Sequence, residues 1–396
     1  MQSEPLFTDL IGVMTVITMI PVFYVWLEKK TKWKVFDVLP AIIWIFLTPI
    51  FLSNLSVIPN VPAVIPRSSP IYSTFRAFAV PMFIVLMLLD INIKEVLKVA
   101  WRGAGVMVLG TFGIVAGAVL SFWMFRSGLP PDTWRGYGAL AGSWIGGTGN
   151  LAAVAESLDT PGEMVGMVVL VDNFVYVVYF PIILTCRKWA KSFNRWSRVS
   201  QAHLDHFAEA TADVEQKSHE VHFTDLLTLI GWAFAAVLAA NWLAGYLPEF
   251  GRVMTEKTWA ILLVTTIGIG LSATALRKVP GTMPLAMTLT YIYMTMMGAQ
   301  ADLSKIGGAQ FFLAAGFICI AVHFVFIVLG ARFFRIDVSM AAVSSVSAVG
   351  GAASAPVAAA YHREELVPIS IMLALLGYAL GNYLGVATAF FCNLLV

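Results

Sequence analysis

Ser143, Thr148 and Asn150 lie in the stretch Ala141-Gly-Ser-Trp-Ile-Gly-Gly-Thr-Gly-Asn150, inside an apolar span. Neutral hydroxyls and an amide set among glycines suit the coordination of a small solute. Glycine in a helix interior costs roughly 1 kcal/mol relative to alanine, and hydrocarbon forbids exposed, unpaired backbone. The segment is therefore expected to break at Gly146-Gly147 and to line a protein-buried, watery cavity. Ser344 to Ala355 has the same character, with Gly350-Gly351 at its centre and Ser345, Ser347 and Ser354 around it. Half-helix N-termini present unpaired N–H groups suited to a carboxylate, and freed carbonyls suit a sodium ion. The expected solute-binding set is thus Ser143, Gly146, Gly147, Thr148, Asn150, Ser347, Gly350, Gly351 and Ser354. The plainer alternative is that the glycines only let helices pack closely.

Asp172-Asn173 sits deep in a second kind of apolar span, followed by Tyr176 and Tyr179. An intramembrane carboxylate is costly and is a functional candidate by default. Asp172 is expected to bind a coupling cation or proton, with Asn173, Gln300, Asp302 and Asn382 as further candidate cation ligands. The alternative for Asp172 is a hydrogen-bonded structural acid. Asp90 could simply pair with Lys94 one turn on, and Glu156 and Asp159 read as solvated. His323, alone in an apolar span, reads as a hydrogen-bonded packing residue. Cys186, Cys319 and Cys392 read as small core residues. The pairs His203/His206 and His219/His222 read as part of a solvated linker, so no metal is assigned.

These residues must be positioned by membrane helices. The chain has 396 residues, 59% hydrophobic and 12% charged, against about 25% charged for soluble domains. The net charge of +2 says nothing about nucleic acid, and none is expected as a partner. Spans of about 20 residues, as a bilayer core requires, fall at 7–27, 35–57, 75–93, 103–126 and 163–186, and again at 223–246, 258–276, 283–303, 309–331 and 366–393. The glycine segments occupy 136–158 and 338–361. The first span reads as a retained helix, because acidic Met1-Gln-Ser-Glu-Pro5 precedes it and no small-residue cleavage site follows.

The order is an internal repeat: residues 1–186 form one half, 187–221 a linker with a basic, aromatic interfacial segment on anionic lipid, and 222–396 the other half. Lys29, Lys30, Lys32 and Lys34 share the cytoplasmic side with Arg187, Lys188, Lys191, Arg195 and Arg198 only if 136–158 enters and leaves on one side. Each half then has five crossings and one re-entrant hairpin, and both termini face outside. An odd number of crossings inverts one half relative to the other. The expected fold is an all-α polytopic membrane protein, an inverted repeat of two five-helix halves, each with a glycine-rich re-entrant hairpin or broken helix.

Residues 142–156, Met297-Gly-Ala-Gln-Ala-Asp-Leu303 and Leu376-Gly-Tyr-Ala-Leu-Gly-Asn-Tyr-Leu-Gly385 resemble a bacterial inner-membrane family, domain of unknown function 819 (YjcL-like), over essentially the whole chain. More distantly, Gly146-Gly-Thr-Gly149 looks like the Gly-Gly-x-Gly loops of the citrate and glutamate sodium symporters. That resemblance implies inverted five-helix halves, homodimers and an elevator motion; Gly350-Gly-Ala-Ala353 departs from it by lacking the last glycine. Together these imply a sodium- or proton-coupled secondary transporter in the bacterial inner membrane, for a small organic anion or a short peptide, cell-wall-derived peptides included. A six-element core holding the hairpins would move against a scaffold of the first two spans of each half. No cofactor beyond a coupling sodium ion is implied. A channel lined by the hairpins is the alternative, then an intramembrane enzyme. Against the enzyme, His-Glu-x-x-His and Walker-type motifs are missing from the sequence, and Ser143 has no base except the distant His323.

Overall fold

The computed structural model describes residues 4–31, 33, 35–36, 41–58, 61–130, 132–199, 220–302 and 309–396. The described residues are helical, apart from short connections and one isolated bridge between Phe250 and Met254. In chain order the helices are α1 (Leu10–Thr31), α2 (Ala41–Asn54), α3 (Pro70–Leu89), α4 (Ile93–Phe125), α5 (Trp134–Ser157), α6 (Gly162–Thr185) and the short α7 (Ala190–Ser197). After the linker come α8 (Phe223–Ala244), α9 (Glu256–Ser272), α10 (Thr282–Gln300), α11 (Ala309–Phe334), α12 (Val338–Val349), α13 (Gly351–His362) and α14 (Val367–Asn393). Seven of the helical stretches are long and apolar enough to cross a membrane, and α2 and α12 are shorter apolar helices. Most of the linker, with His203, His206, His219 and the acids Asp205 to Glu215, lies outside the described residues.

Long helices arise where apolar residues run on, even across Pro21, Pro81 and Pro181, and some begin where a side chain takes over the free N–H groups. The Ser69 hydroxyl accepts from Ile71 N–H ahead of Pro70, and Asp337 accepts from the N–H groups of Ser339 and Met340. Ala100 has non-helical angles, so α4 kinks there. The span expected at 103–126 is the straight part beyond that kink.

Both glycine segments fold back on themselves. Gly147 adopts φ 75° and ψ −172° within α5. A methyl group on Gly142 would lie 3.0 Å from Val154 Cγ2, and one on Gly138 would lie 3.0 Å from Leu158 Cδ1. In a straight helix residues 142 and 154 would stand about 18 Å apart. The two ends of α5 also meet, since Arg135 donates to the Asp159 carbonyl at 2.8 Å. The second segment turns at Gly350 and Gly351 (φ 58°), and its ends are joined by the Arg363–Asp337 ion pair at 3.1 Å. We call these hairpin 1 (α5) and hairpin 2 (α12 and α13).

Contacts between connections fix which ends lie together. At one end, Arg67 pairs with Asp302, Arg126 donates to the Leu395 carbonyl and Lys257 pairs with Asp159. At the other, Thr282 donates to Asp90, Asn194 accepts from Val338 N–H and Arg187 donates to the Tyr361 carbonyl. The second end also carries Lys188, Lys191, Arg277 and Arg332 and is called the basic end below. The base of hairpin 1 lies at one end of α6 and the base of hairpin 2 at its other end, so the hairpins point at each other along that helix.

Glycines set the closest helix approaches. Gly377, Gly381 and Gly385 on α14 face Ile145, Asn150 and Val154, so hairpin 1 lies in a groove that larger residues would fill. Gly110, Gly113 and Gly117 seat α11 on α4 in the same way. On the other side of the molecule, Gly298 brings α10 against the Phe46 carbonyl of α2, and Gly268 brings α9 against Val85 and Leu88 of α3. The third span of each half, α3 and α10, packs mainly with α1, α2, α8 and α9, and both also touch hairpin 1: Arg76 of α3 pairs with Glu156, and Tyr293 of α10 donates to the Ala152 carbonyl at 3.4 Å. Hairpins 1 and 2, α4, α6, α11 and α14 make up the remaining six elements.

Candidate functional site at the hairpin tips

The two tips touch. A methyl group on Gly351 would lie 3.8 Å from Gly147 Cα and 3.9 Å from the Tyr378 hydroxyl, and one on Gly147 would lie 3.6 Å from the Tyr378 ring. Tyr378 of α14 therefore borders both tips. A methyl group on Gly350 would collide with the Tyr176 hydroxyl, which is buried and makes no hydrogen bond. Thr148 is half-buried at the tip of hairpin 1, and Ser354 donates to the Gly350 carbonyl at 3.1 Å. Each return arm starts at its tip, so two helix N-termini and their free N–H groups converge here.

Asp172 lies in the middle of α6, beside hairpin 1. Its Oδ2 accepts from the Ser143 hydroxyl at 2.8 Å and its Oδ1 from the Trp144 indole N–H at 2.5 Å. A carboxylate offers about four lone-pair directions, so two directions remain for a cation or proton. Asp172, Tyr176 and Tyr179 follow one another at helical spacing and share the face of α6 that meets the hairpins. Tyr179 bonds Ser345 at 2.7 Å. His323 bonds Ser345 through Nε2 at 2.9 Å and the Gly110 carbonyl through Nδ1 at 2.8 Å. A carbonyl only accepts, so Nδ1 carries the proton and Nε2 accepts from the Ser345 hydroxyl in the neutral ring. His323 is the hydrogen-bonded packing residue that the sequence suggests, and Ser143 pairs with a carboxylate instead of an imidazole.

The candidate residues fall into separate places. Gly147, Thr148, Gly350, Gly351 and Ser354 ring the tips, with Ser143 and Asp172 beside them. Gly146, Asn150 and Ser347 pack on or bond to α14. A methyl group on Gly146 would lie 2.8 Å from the Gly377 carbonyl, and Ser347 donates to the Ser370 carbonyl at 3.1 Å. Asn150 donates to the Tyr378 carbonyl at 2.9 Å and to Asn382 at 3.1 Å, and Asn382 donates onward to Thr265 at 2.8 Å. Asn173 donates to the Val169 carbonyl of its own helix. Gln300 and Asp302 lie at the end opposite the basic one, where Gln300 donates to Met296 and Asp302 pairs with Arg67. Asn382, Gln300 and Asp302 are thus not gathered around Asp172.

Near the base of hairpin 1, Glu156 pairs with Arg76 at 3.2 Å with 15% of its side chain exposed, so it is an ion-pair partner and not freely solvated. Asp90 takes its bond from Thr282 on α10 at 2.7 Å. Trp144 bonds Asp172 and Tyr378 borders both tips, and neither is among the solute-binding residues expected from sequence. The signals available were the position of Trp144 next to Ser143 and of Tyr378 within a glycine-spaced helix. Among the described residues no cluster of three or more His, Cys, Asp or Glu could hold a metal ion.

Fold and site together define an all-α polytopic membrane protein in which two broken-helix hairpins meet tip to tip beside a carboxylate. The chain belongs to the family described as "Protein of unknown function (DUF819)", whose profile matches residues 15–395. It is also 28% identical, over 369 residues and 91% of each chain, to a Bacillus subtilis (strain 168) protein described as "Uncharacterized membrane protein YjcL".

Proposed function

We propose that the chain is a secondary active transporter for a small organic anion or short peptide, cell-wall-derived peptides included, driven by sodium or protons. One observation carries this reading: Gly147 and Gly351, both at positive φ, meet beside Tyr176, Tyr378 and Asp172. Helices opened at a midpoint, with their dipole ends facing each other, are how carriers hold solutes away from lipid. The solute's negative group sits at the converging N-termini, and Asp172 takes the coupling ion or proton.

In this reading the hairpins are re-entrant, the halves form an inverted repeat, and the basic end faces the cytoplasm by the positive-inside rule. Both termini then face outside the inner membrane. The six elements that include the hairpins move against the scaffold α1–α3 and α8–α10, and two chains associate as a homodimer through that scaffold. This account assigns no catalytic residue: the Ser143–Asp172 pair belongs to the ion site.

The test is uptake into proteoliposomes under imposed sodium or proton gradients, with a panel of radiolabelled carboxylates and dipeptides. The expected result is accumulation that follows one gradient and collapses with the matching ionophore. Rapid equilibration that ignores every gradient would mark a channel and overturn the proposal.

A further inference from the structure

At the basic end, α6 turns through Cys186–Trp189 into α7. An apolar cavity of about 140 Å³ opens there between α6, α7, α11 and the first arm of hairpin 2, lined by Ile183, Phe193, Phe324, Ile327 and Ala342 among others. Phe193 and Ser197 turn inward on α7, while Lys191, Arg195 and Arg198 turn outward. Lys188 and Arg335 are exposed nearby, and half-buried Arg332 stands one turn beyond Val328 of the cavity wall, its guanidinium 6.0 Å from the Trp196 ring. Among the described residues none of these six cations makes an ion pair. Trp189 and Trp196 are exposed beside them.

We propose that this cavity and its rim form a binding site for an anionic phospholipid, a segment of one acyl chain inside and the phosphate among Lys188, Lys191 and Arg332. An acyl chain suits the walls because they offer no hydrogen-bond partner. A peptide segment entering the same space would bury unpaired N–H and C=O groups. Basic side chains on an amphipathic helix attract anionic headgroups, and tryptophan favours the headgroup level. The site also reaches the hairpins: Asn194 of α7 accepts from Val338 N–H at 3.0 Å, and Val338, Ala341 and Ala342 line the cavity. A lipid held there braces the base of hairpin 2. The inference stands whether or not the chain is a transporter.

Native mass spectrometry of the full chain, released from nanodiscs of equal phosphatidylglycerol and phosphatidylcholine, tests it. Phosphatidylglycerol is expected to be retained about tenfold over phosphatidylcholine. Lys188→Gln/Arg332→Gln, on the rim, and Ala342→Trp, which fills the cavity, should each erase that preference. Rim neutralisation alters no packed residue of the cavity, so it stays informative if Ala342→Trp fails to fold. Equal retention of the two lipids, or a preference that survives rim neutralisation, overturns the proposal. So does phosphatidylglycerol binding that appears only when Asp205, Glu209, Asp213 and Glu215 are replaced by their amides, because the chain's own acidic stretch would then be the occupant.

Discussion

Asp172→Asn abolishes the ion-dependent stabilisation of the purified protein and leaves its fold intact. The replacement has the same shape and no charge. Its carbonyl oxygen still accepts from the Trp144 indole, and the Ser143 hydroxyl, which donates to Asp172 in the native protein, can reverse and accept from the new amide. The Trp144 N–H keeps its acceptor, so the unfolding temperature without added ion should stay near that of the native protein. Asp172→Ala behaves differently: it strands the Trp144 N–H, at a cost of about 1–3 kcal/mol. Thermal unfolding in sodium against choline salts, and across pH, reads both variants. A native-like ion response in Asp172→Asn would remove Asp172 from the coupling site.

Gly147→Ala should be nearly as damaging to transport, for a reason of backbone and not of space. The added methyl group meets only the Tyr378 ring, at an ordinary 3.6 Å. The angles φ 75° and ψ −172° belong to a region used almost only by glycine, and other residues held there carry about 1–3 kcal/mol of strain. With each 1.4 kcal/mol worth about tenfold, the native tip loses roughly one to two orders of magnitude in relative population. Gradient-driven uptake should fall at least about tenfold, with a smaller fall in unfolding temperature. Gly231→Ala on α8 is the control. It lies in an open helical position with nothing within 4 Å and should be neutral or mildly stabilising. Equal behaviour of the two alanine variants would show that the tip geometry does not govern transport.

Much of this arrangement is legible in the sequence because membranes make local signals decisive. A run of glycines in an apolar span has few structural outcomes, and the placement of lysine and arginine distinguishes a turned-back segment from a crossing. The Arg135–Asp159 and Arg363–Asp337 contacts now tie the ends of both hairpins together. Long-range pairing was not legible. Asp90 had Lys94 one turn away but bonds Thr282 on α10, and Asp302 finds Arg67 in the loop before α3. Single glycines such as Gly268 and Gly298 give no hint from periodicity that they bring α9 onto α3 and α10 onto α2. Asn150 and Ser347 are polar and near a tip, and their side chains bond α14. Polarity in a membrane span marks a group that must be satisfied, and packing decides which partner satisfies it.

Water access at the tips tests the central claim most directly. Single cysteines at Thr148 and Ser354, in a background with Cys186, Cys319 and Cys392 replaced, can be exposed to a charged, membrane-impermeant thiol reagent from either side of membrane vesicles. Leu170 and Phe174 on the outer face of α6 are more exposed than either tip position, but to lipid in this account. Rapid labelling of Thr148→Cys and Ser354→Cys, with Leu170→Cys and Phe174→Cys inert, is the predicted result. Inert tips, or labelling that tracks exposure and peaks at Leu170 and Phe174, would contradict a solvated solute site between the hairpins.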